Sequence, residues 1–460
     1  MRRDKNMDKK QEIQDEVQLI QDLFDGIDNG DFNNFGETSD KYTFKYLKAI
    51  WDLQTVLDGG KELYKQIYEI AIKCGIRHVQ QKYKTGRKIK VAFLTISAAE
   101  WPAESVYRLL KMNENVEAYL VVGPLIDRSV ENMEDAFEKT ASFFEKRGYD
   151  VRRAYDSKNK KVRLWEEIGK PDIVIHLTHW YKSLPEEYQI ENYPFTILNC
   201  YIPYAMSLAD NAKGTFMINS SNNSMFLNMM WHIYTDTMYH YEGYREYQLL
   251  GGENVVFTGF PKMDFFYNKI ENTSDQLMLM ANWKYPTGCD PKNMKKVIIA
   301  PHHTFLGYGG ILYSTFQWNM YFWIYLAKKY ENQISFIFKP HPNLRTRAIE
   351  AEVFRDAGDY ERYIDLWEKL PNARVSAEES YLEIFATSDG MIMDSNSFLA
   401  EYMYVNKPLL FLTREEQTFN KLGRSIVDTY DQCDGRDYIG IESFLQNVIL
   451  NGKDDKKEIR

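Results

Sequence analysis

Residues 297–304 read Val297-Ile-Ile-Ala-Pro-His-His-Thr304. Four apolar residues closed by a proline predict a short strand buried on both faces, with two histidines delivered just past its end. The arrangement recurs downstream. Ile334–Lys339 runs into Pro340-His341-Pro342, and Gly390–Met393 runs into Asp394-Ser395-Asn396-Ser397. Between them Trp318–Lys329 and most of Ile349–Leu370 read as helix, while Arg374–Val375 and Pro408–Leu412 add two short strands. Strands alternating with amphipathic helices predict a parallel sheet covered on both faces. Ligands of such sheets sit beyond the carboxyl ends of the strands, where all three polar segments fall.

The same alternation is found upstream. Ile89–Ile96, Val116–Val122, Tyr149–Ala154 and Asp172–Leu177 read as strands, with Thr196–Leu198 and Met217–Ile218 as further candidates. Helices are expected around Ala103–Met112 and over Glu131–Arg147. The fold class is therefore α/β, two doubly wound lobes facing a cleft. Four segments are expected: a helical extension over 1–88, a first lobe over 89–265, a second over 266–430, and a C-terminal helix and tail over 431–460. In the extension Ile13, Val17, Ile20 and Phe24, then Phe44, Leu47, Ile50, Leu53, Val56 and Leu57, recur at helical spacing. Lys82–Lys90 (KYKTGRKIK) reads as a solvated linker, with an anionic-lipid patch as the less favoured alternative.

Composition narrows the function classes. The 460 residues carry a net charge of −9, without the broad basic stripe that non-specific nucleic-acid binding needs. Four cysteines without CxxC spacing argue against a zinc site or a disulfide framework and fit a reducing compartment. No apolar leader opens the chain, and no apolar run approaches the ~20 residues of a membrane span. A cytoplasmic protein is expected, able still to touch the inner face of a membrane. The 33 tyrosines and 26 phenylalanines suit stacking against polyol or sugar faces, although most such rings belong in cores.

The strand-end segments suit a nucleoside-diphosphate donor. Asp394, Ser395, Asn396 and Ser397 at a helix start offer hydroxyls and backbone N–H groups to an anion, or else a plain helix cap. Glu401 on that helix could accept from ribose hydroxyls. His341, stiffened by flanking prolines, suits an acid, a base or a phosphate donor, and Lys339 beside it favours anions. Lys262 and Arg345 are further cations for such a site. His302 and His303 are adjacent, so on an extended segment only one is expected to face the ligand. No helical i, i+4 histidine pair and no nearby carboxylate cluster is seen, so no metal or other cofactor is expected. His176 and His179 leave a first-lobe strand, where packing is the commoner role and acceptor binding the alternative.

Taken together, these segments resemble the CDP-glycerol glycerophosphotransferase family of teichoic-acid primases and polymerases, over residues 90–420. The matching motifs are Thr258-Gly-Phe-Pro-Lys-Met-Asp264, Ala300-Pro-His-His303, Lys339-Pro-His-Pro342, Ser388-Asp389, Asp394-Ser-Asn-Ser397 with Glu401, and Lys407-Pro408. Pro171-Asp-Ile-Val174, Cys200-Tyr-Ile-Pro-Tyr204 and Tyr313-Ser-Thr-Phe316 are similar to a subgroup found with surface-polysaccharide genes. The resemblance implies a GT-B fold and transfer of a polyol phosphate from a CDP-linked donor to a glycan or lipid-linked hydroxyl, releasing CMP. It implies CDP binding by the second lobe, with Asp394–Ser397 at the pyrophosphate, Glu401 near the ribose and His341 at the phosphates, Lys262 and Asp264 standing in the family's junction motif.

One departure matters. Where the family's polymerases carry a first-lobe histidine, the proposed base, this chain has Asn199-Cys200-Tyr201-Ile202-Pro203. The base must then come from His302, His303 or His341, or the activity differs. Tyr201 and Tyr204, with His179, are better placed to bind acceptor, because a tyrosine of ordinary pKa near ~10 is a poor base at neutral pH. Two other readings stand beside this one: a GT-B glycosyltransferase using a UDP- or CDP-sugar, and a nucleotide-binding accessory protein without activity.

Overall fold

Strand β1 (Ile89–Thr95) is the seed of the first sheet, with β2 (Val116–Val122) on one side and β6 (Ile173–His176) on the other, all parallel. This is the computed structural model of the chain, and it describes residues 15–26, 40–55, 59–210, 217–267, 280–306, 311–376, 381–396 and 398–460. Beyond β2 lies β3 (Val151–Arg153); beyond β6 lie β7 (Leu198–Tyr201), β8 (His232–Thr235) and β9 (Val255–Phe257). A small antiparallel pair, β4 (Tyr155–Asp156) and β5 (Lys161–Val162), interrupts the crossover between β3 and β6. Of the two weaker strand candidates, Thr196–Leu198 overlaps the start of β7. Met217–Ile218 opens a helical turn, Met217–Asn222, and not a strand.

Alternation along β1 explains how both faces are covered. Val91 and Phe93 pack with Tyr107, Phe137 and Phe144, from the helices Glu104–Met112 and Val130–Glu145. Ala92 and Leu94 face the other way, into a cluster with Leu47, Ile50, Tyr64 and Ile67 from the helices Lys45–Leu53 and Gly60–Lys84. The N-terminal helices are thus the second covering layer of the first sheet, and compact-unit division places them with it. Asp172 fastens them. It is buried and accepts from Lys82 Nζ at 2.7 Å and Lys90 N at 2.7 Å, with His78 Nε2 at 3.1 Å. Burial alone would raise its pKa, but these bonds hold it below the usual carboxylate value. Lys82, in the basic run, is therefore a packing residue.

The second sheet is built alike from β10 (Lys295–Ala300), β11 (Ile334–Phe338), β12 (Ala373–Val375), β13 (Gly390–Met393), β14 (Leu409–Thr413) and β15 (Asp431–Asp434). Its order, β12-β11-β10-β13-β14-β15, is all parallel, with the first strand central and the chain reversing direction across the sheet between β10 and β13. The residues after 430, expected as helix and tail, supply β15 before the helix Tyr438–Ser443. The chain divides into two units: residues 1–205 with 218–262, and residues 206–217 with 263–460. Residues 206–210 lie as a strap on the second unit. Ala209 bridges Phe419, Asn420 N donates to Leu208 O at 2.9 Å, and Asn420 Nδ2 donates to Ser207 O at 2.7 Å. Gly423 permits this approach, because a Cβ there would meet Leu208 O at 2.4 Å. Each unit is thus an α/β lobe built on its own parallel sheet.

Candidate active site

Ligands of doubly wound sheets bind where neighbouring strands send their loops in opposite directions. In the second unit that point lies between β10 and β13. The loop leaving β10 carries His302 and His303, the one leaving β13 carries Asp394, and His341 follows β11. The backbone stops being pleated at Pro301, so the expected alternation of His302 and His303 fails. Their ring centroids lie 4.4 Å apart, and both approach His341, at 5.4 Å and 3.9 Å. The structure gathers all three into one group.

Asp394 braces that group. Expected at the pyrophosphate, it is buried with both oxygens occupied by protein: Oδ1 accepts from His302 N at 2.6 Å, and Oδ2 from Thr315 N at 2.5 Å and Thr315 Oγ1 at 2.9 Å. Burial raises its pKa to about 6 against the pull of these bonds. Ser314 Oγ donates to His302 O at 2.9 Å, and Tyr313 N donates to Thr304 Oγ1 at 3.0 Å. The Tyr313–Phe316 motif thus wraps the histidine loop. Burial keeps the three imidazoles neutral. It lowers His341 to about 3, with help from His303 and Lys339, lowers His303 to about 4, and puts His302 well below its ordinary value.

Hydrogen bonding sets two tautomers. Thr304 N–H (3.4 Å) and the Thr304 hydroxyl (2.8 Å) face His302 Nδ1, and Asn343 N–H donates to His341 Nδ1 at 3.1 Å. With Nδ1 accepting, each neutral ring carries its proton on Nε2. The nitrogens of the three rings come within 4.8 Å of one another, close enough to hold a metal ion. In the tautomers these bonds favour, His302 and His341 present Nε2–H groups that would suit an oxyanion, whereas a metal would need lone pairs at those nitrogens.

The remaining second-unit candidates are distributed unevenly. Glu401 is buried on the short helix Leu399–Met403 and accepts from the hydroxyl of Tyr381, while Lys339 Nζ lies 5.7 Å from the centre of that ring. Tyr381 therefore joins the two, and sequence reasoning missed it because it follows no strand. Ser395 is buried and Asn396 half-buried; Ser397, like the glycine-bearing loop 307–310, lies outside the described residues. The helix starts at Leu399 with Phe398 as an N-cap that makes no side-chain bond, so Asp394 does not cap it as expected. Arg345 pairs on the surface with Glu361 at 3.1 Å, while Arg347 is the arginine whose charge acts on His303. Lys407 donates to Ala386 O at 2.7 Å, closing the helix Leu382–Thr387, and Ser388 bonds Tyr402 at 2.8 Å; both are packing roles.

In the first unit, Tyr201 at the end of β7 is buried, with its hydroxyl 3.4 Å from His179 Nδ1. Tyr204 stacks toward His179 at 6.3 Å. His176 is fully packed, 3.0 Å from Asn199 Oδ1. Gly259, in the junction motif, has φ +83°, a conformation that favours glycine. Three residues later in that motif Lys262 is buried and donates to Ala99 O at 3.3 Å, so its contact is with the first unit; Asp264 is exposed.

Residues 245–434 match the model of the family described as CDP-Glycerol:Poly(glycerophosphate) glycerophosphotransferase. The chain is 24% identical over 183 residues to the teichoic acid poly(ribitol-phosphate) polymerase of Bacillus spizizenii, a match covering 40% of this chain and 26% of that protein. It thus spans about a quarter of the length of that curated relative. Among solved structures, the wall teichoic acid polymerase TagF superposes with a TM-score of 0.49 at 12% identity, covering 87% of this chain and 90% of the other. A UDP-GlcNAc 2-epimerase from Neisseria meningitidis superposes with a TM-score of 0.45 at 15% identity, covering 81% and 93%.

Proposed function

We propose that this chain is a transferase that moves glycerol phosphate, or a related polyol phosphate, from a CDP-activated donor to an acceptor hydroxyl, releasing CMP. The acceptor is a glycan or lipid-linked chain in teichoic-acid or related surface-polymer synthesis, met at the inner face of the cell membrane. Among the described residues no helix is long and apolar enough to cross a membrane, so that contact would be peripheral. The observation that carries the reading is the group His302, His303 and His341 at the switch point, inside the stretch that matches the glycerophosphotransferase family. Neutral N–H groups fixed by the backbone are suited to a diphosphate, whose charge grows on the leaving oxygen as the phosphoryl group transfers. Lys339 adds positive charge, and Glu401 with Tyr381 offers a polar wall to the nucleoside.

A thermal-shift screen of CDP-glycerol, CDP-ribitol, CMP, UDP-sugars and GDP-sugars tests this. Stabilisation by cytidine compounds alone supports it; a response to UDP-sugars alone would make the chain a glycosyltransferase, and no response an accessory protein. His341→Ala should lower CMP release by at least roughly 10²-fold, the scale of losing one fixed donor to a developing charge, with an unchanged melting temperature. Wild-type turnover in that variant would remove His341 from the site.

A further inference from the structure

Within the second unit, Tyr381 lies between the two charged side chains Glu401 and Lys339. Its hydroxyl donates to Glu401 Oε2, and Lys339 Nζ stands 5.7 Å from the centre of its ring, within range of a cation–π attraction. We propose that Tyr381 is a positioning residue that fixes the Glu401 carboxylate for the ribose hydroxyls of the donor, and so makes the site select ribonucleotides over deoxyribonucleotides. This rests on the donor reading above, which puts Glu401 beside the nucleoside.

The helix that carries Glu401 needs such a support. Leu399–Met403 is five residues long, and Phe398 before it gives no side-chain cap. So short a helix is held by its surroundings and not by its own hydrogen bonds. Glu401 itself is 1% exposed, and a carboxylate so buried is costly without donors. Tyr381 supplies one from a ring with little freedom of its own. It is buried between Phe385 and Phe398, with ring centroids at 4.9 Å and 4.6 Å. The same ring therefore braces the start of the helix and the carboxylate upon it.

Charge separates the two ends of the ring. The positive charge of Lys339 also acts on His341, which sets that cation on the side of the imidazole group. Phosphates are drawn to that side and repelled by the carboxylate at the other. A nucleoside diphosphate has the same polarity: anionic at the phosphates, with a neutral pair of hydroxyl donors on the ribose. A carboxylate has lone pairs enough to take the Tyr381 bond and a ligand hydroxyl together, so the tyrosine orients it for the second partner. The exocyclic amine of cytosine is the other donor that a carboxylate could take, and UMP, which lacks it, separates the two.

Calorimetry on the full chain tests this with CMP, 2′-deoxy-CMP, 3′-deoxy-CMP and UMP, comparing wild type with Tyr381→Phe. Wild type should bind CMP roughly 10- to 100-fold more tightly than at least one deoxy compound, the scale of a hydrogen bond to a charged group. Tyr381→Phe keeps the ring and its packing against Phe385 and Phe398. Its affinity for that deoxy compound should therefore stay at the wild-type value, which also checks that the site is intact. Its preference for CMP over the deoxy compound should shrink roughly tenfold. A merely structural tyrosine would weaken all four ligands together and leave the ratio alone. An unchanged ratio in Tyr381→Phe overturns the inference, as does a wild type that binds CMP and both deoxy compounds equally; either leaves the donor reading standing. Lost discrimination against UMP alone would assign Glu401 to the base and overturn it too. Failure of wild type to bind any cytidine compound overturns the donor reading, and this inference with it.

Discussion

With both oxygens of Asp394 bound to His302 and Thr315, its replacement acts on the histidine loop and not on a ligand. Asp394→Asn keeps the shape but sets an amide N–H against a backbone N–H. Stability in urea should fall by about 2 kcal/mol, and donor affinity should fall with it because the His302 backbone loses its anchor. Unchanged stability would show that these bonds are absent in solution. The place of this aspartate was legible in sequence because a polar residue stood at the end of an apolar run. Its task was not, because a carboxylate at a strand end looks the same whether it binds ligand or backbone. Tyr381 left less trace: it lies in no motif, and it matters only through Glu401 and Lys339, partners distant in sequence.

Helix geometry decides between two arginines. On the helix Leu344–Glu350, Arg345 and Arg347 are two positions apart and so point roughly 200° away from each other. Arg345→Ala should leave CDP-compound affinity unchanged and cost at most about 1 kcal/mol, since it removes only an exposed pair. Arg347→Ala should weaken donor binding measurably by calorimetry. The reverse pattern would return Arg345 to the site. Among the elements, buried strands were the readable ones: β2 and β13 match their apolar runs end to end. β9 and β15 are edge strands; β9 is only three apolar residues, Val255-Val-Phe257, and β15 alternates half-buried and exposed along Asp431-Gln-Cys-Asp434, so neither gives a long apolar run to notice. β8, His232-Ile-Tyr-Thr235, mixes its faces in the same way.

At the scale of the whole molecule, burial disfavours the charged form of histidines in both units. Besides the three in the second unit, burial lowers His176 and His179 to about 4 each. A folded-state value below the ordinary ~6.5 means the unfolded chain takes up protons that the folded one refuses. Their contribution is fully present above that value and is lost as pH falls toward 4. Asp394 and Glu100, raised to about 6 and about 7, oppose this in part. Five histidines outweigh two carboxyls, so the melting temperature should drop steadily from pH 6.5 to about 4. Replacing His303 and His341 with Gln should flatten that slope; a slope unaffected by both changes would assign it elsewhere. The aromatic excess belongs to this scale too: Tyr188, Tyr193, Tyr313, Tyr363, Tyr402 and Tyr430 are all fully buried, which makes most of it core.

The strap at 206–210 bears on how this chain can be taken apart. The second unit is discontinuous in sequence, since it borrows a segment from the middle of the first. A gene cut at codon 263 would yield a fragment whose Phe419 edge and Gly423 hollow face solvent. Exchanging second units between relatives at a single crossover would replace the hollow but not the strap that fills it. Recombinants that move both pieces together, or a fragment with the strap supplied by a linker, respect the way the chain is laced.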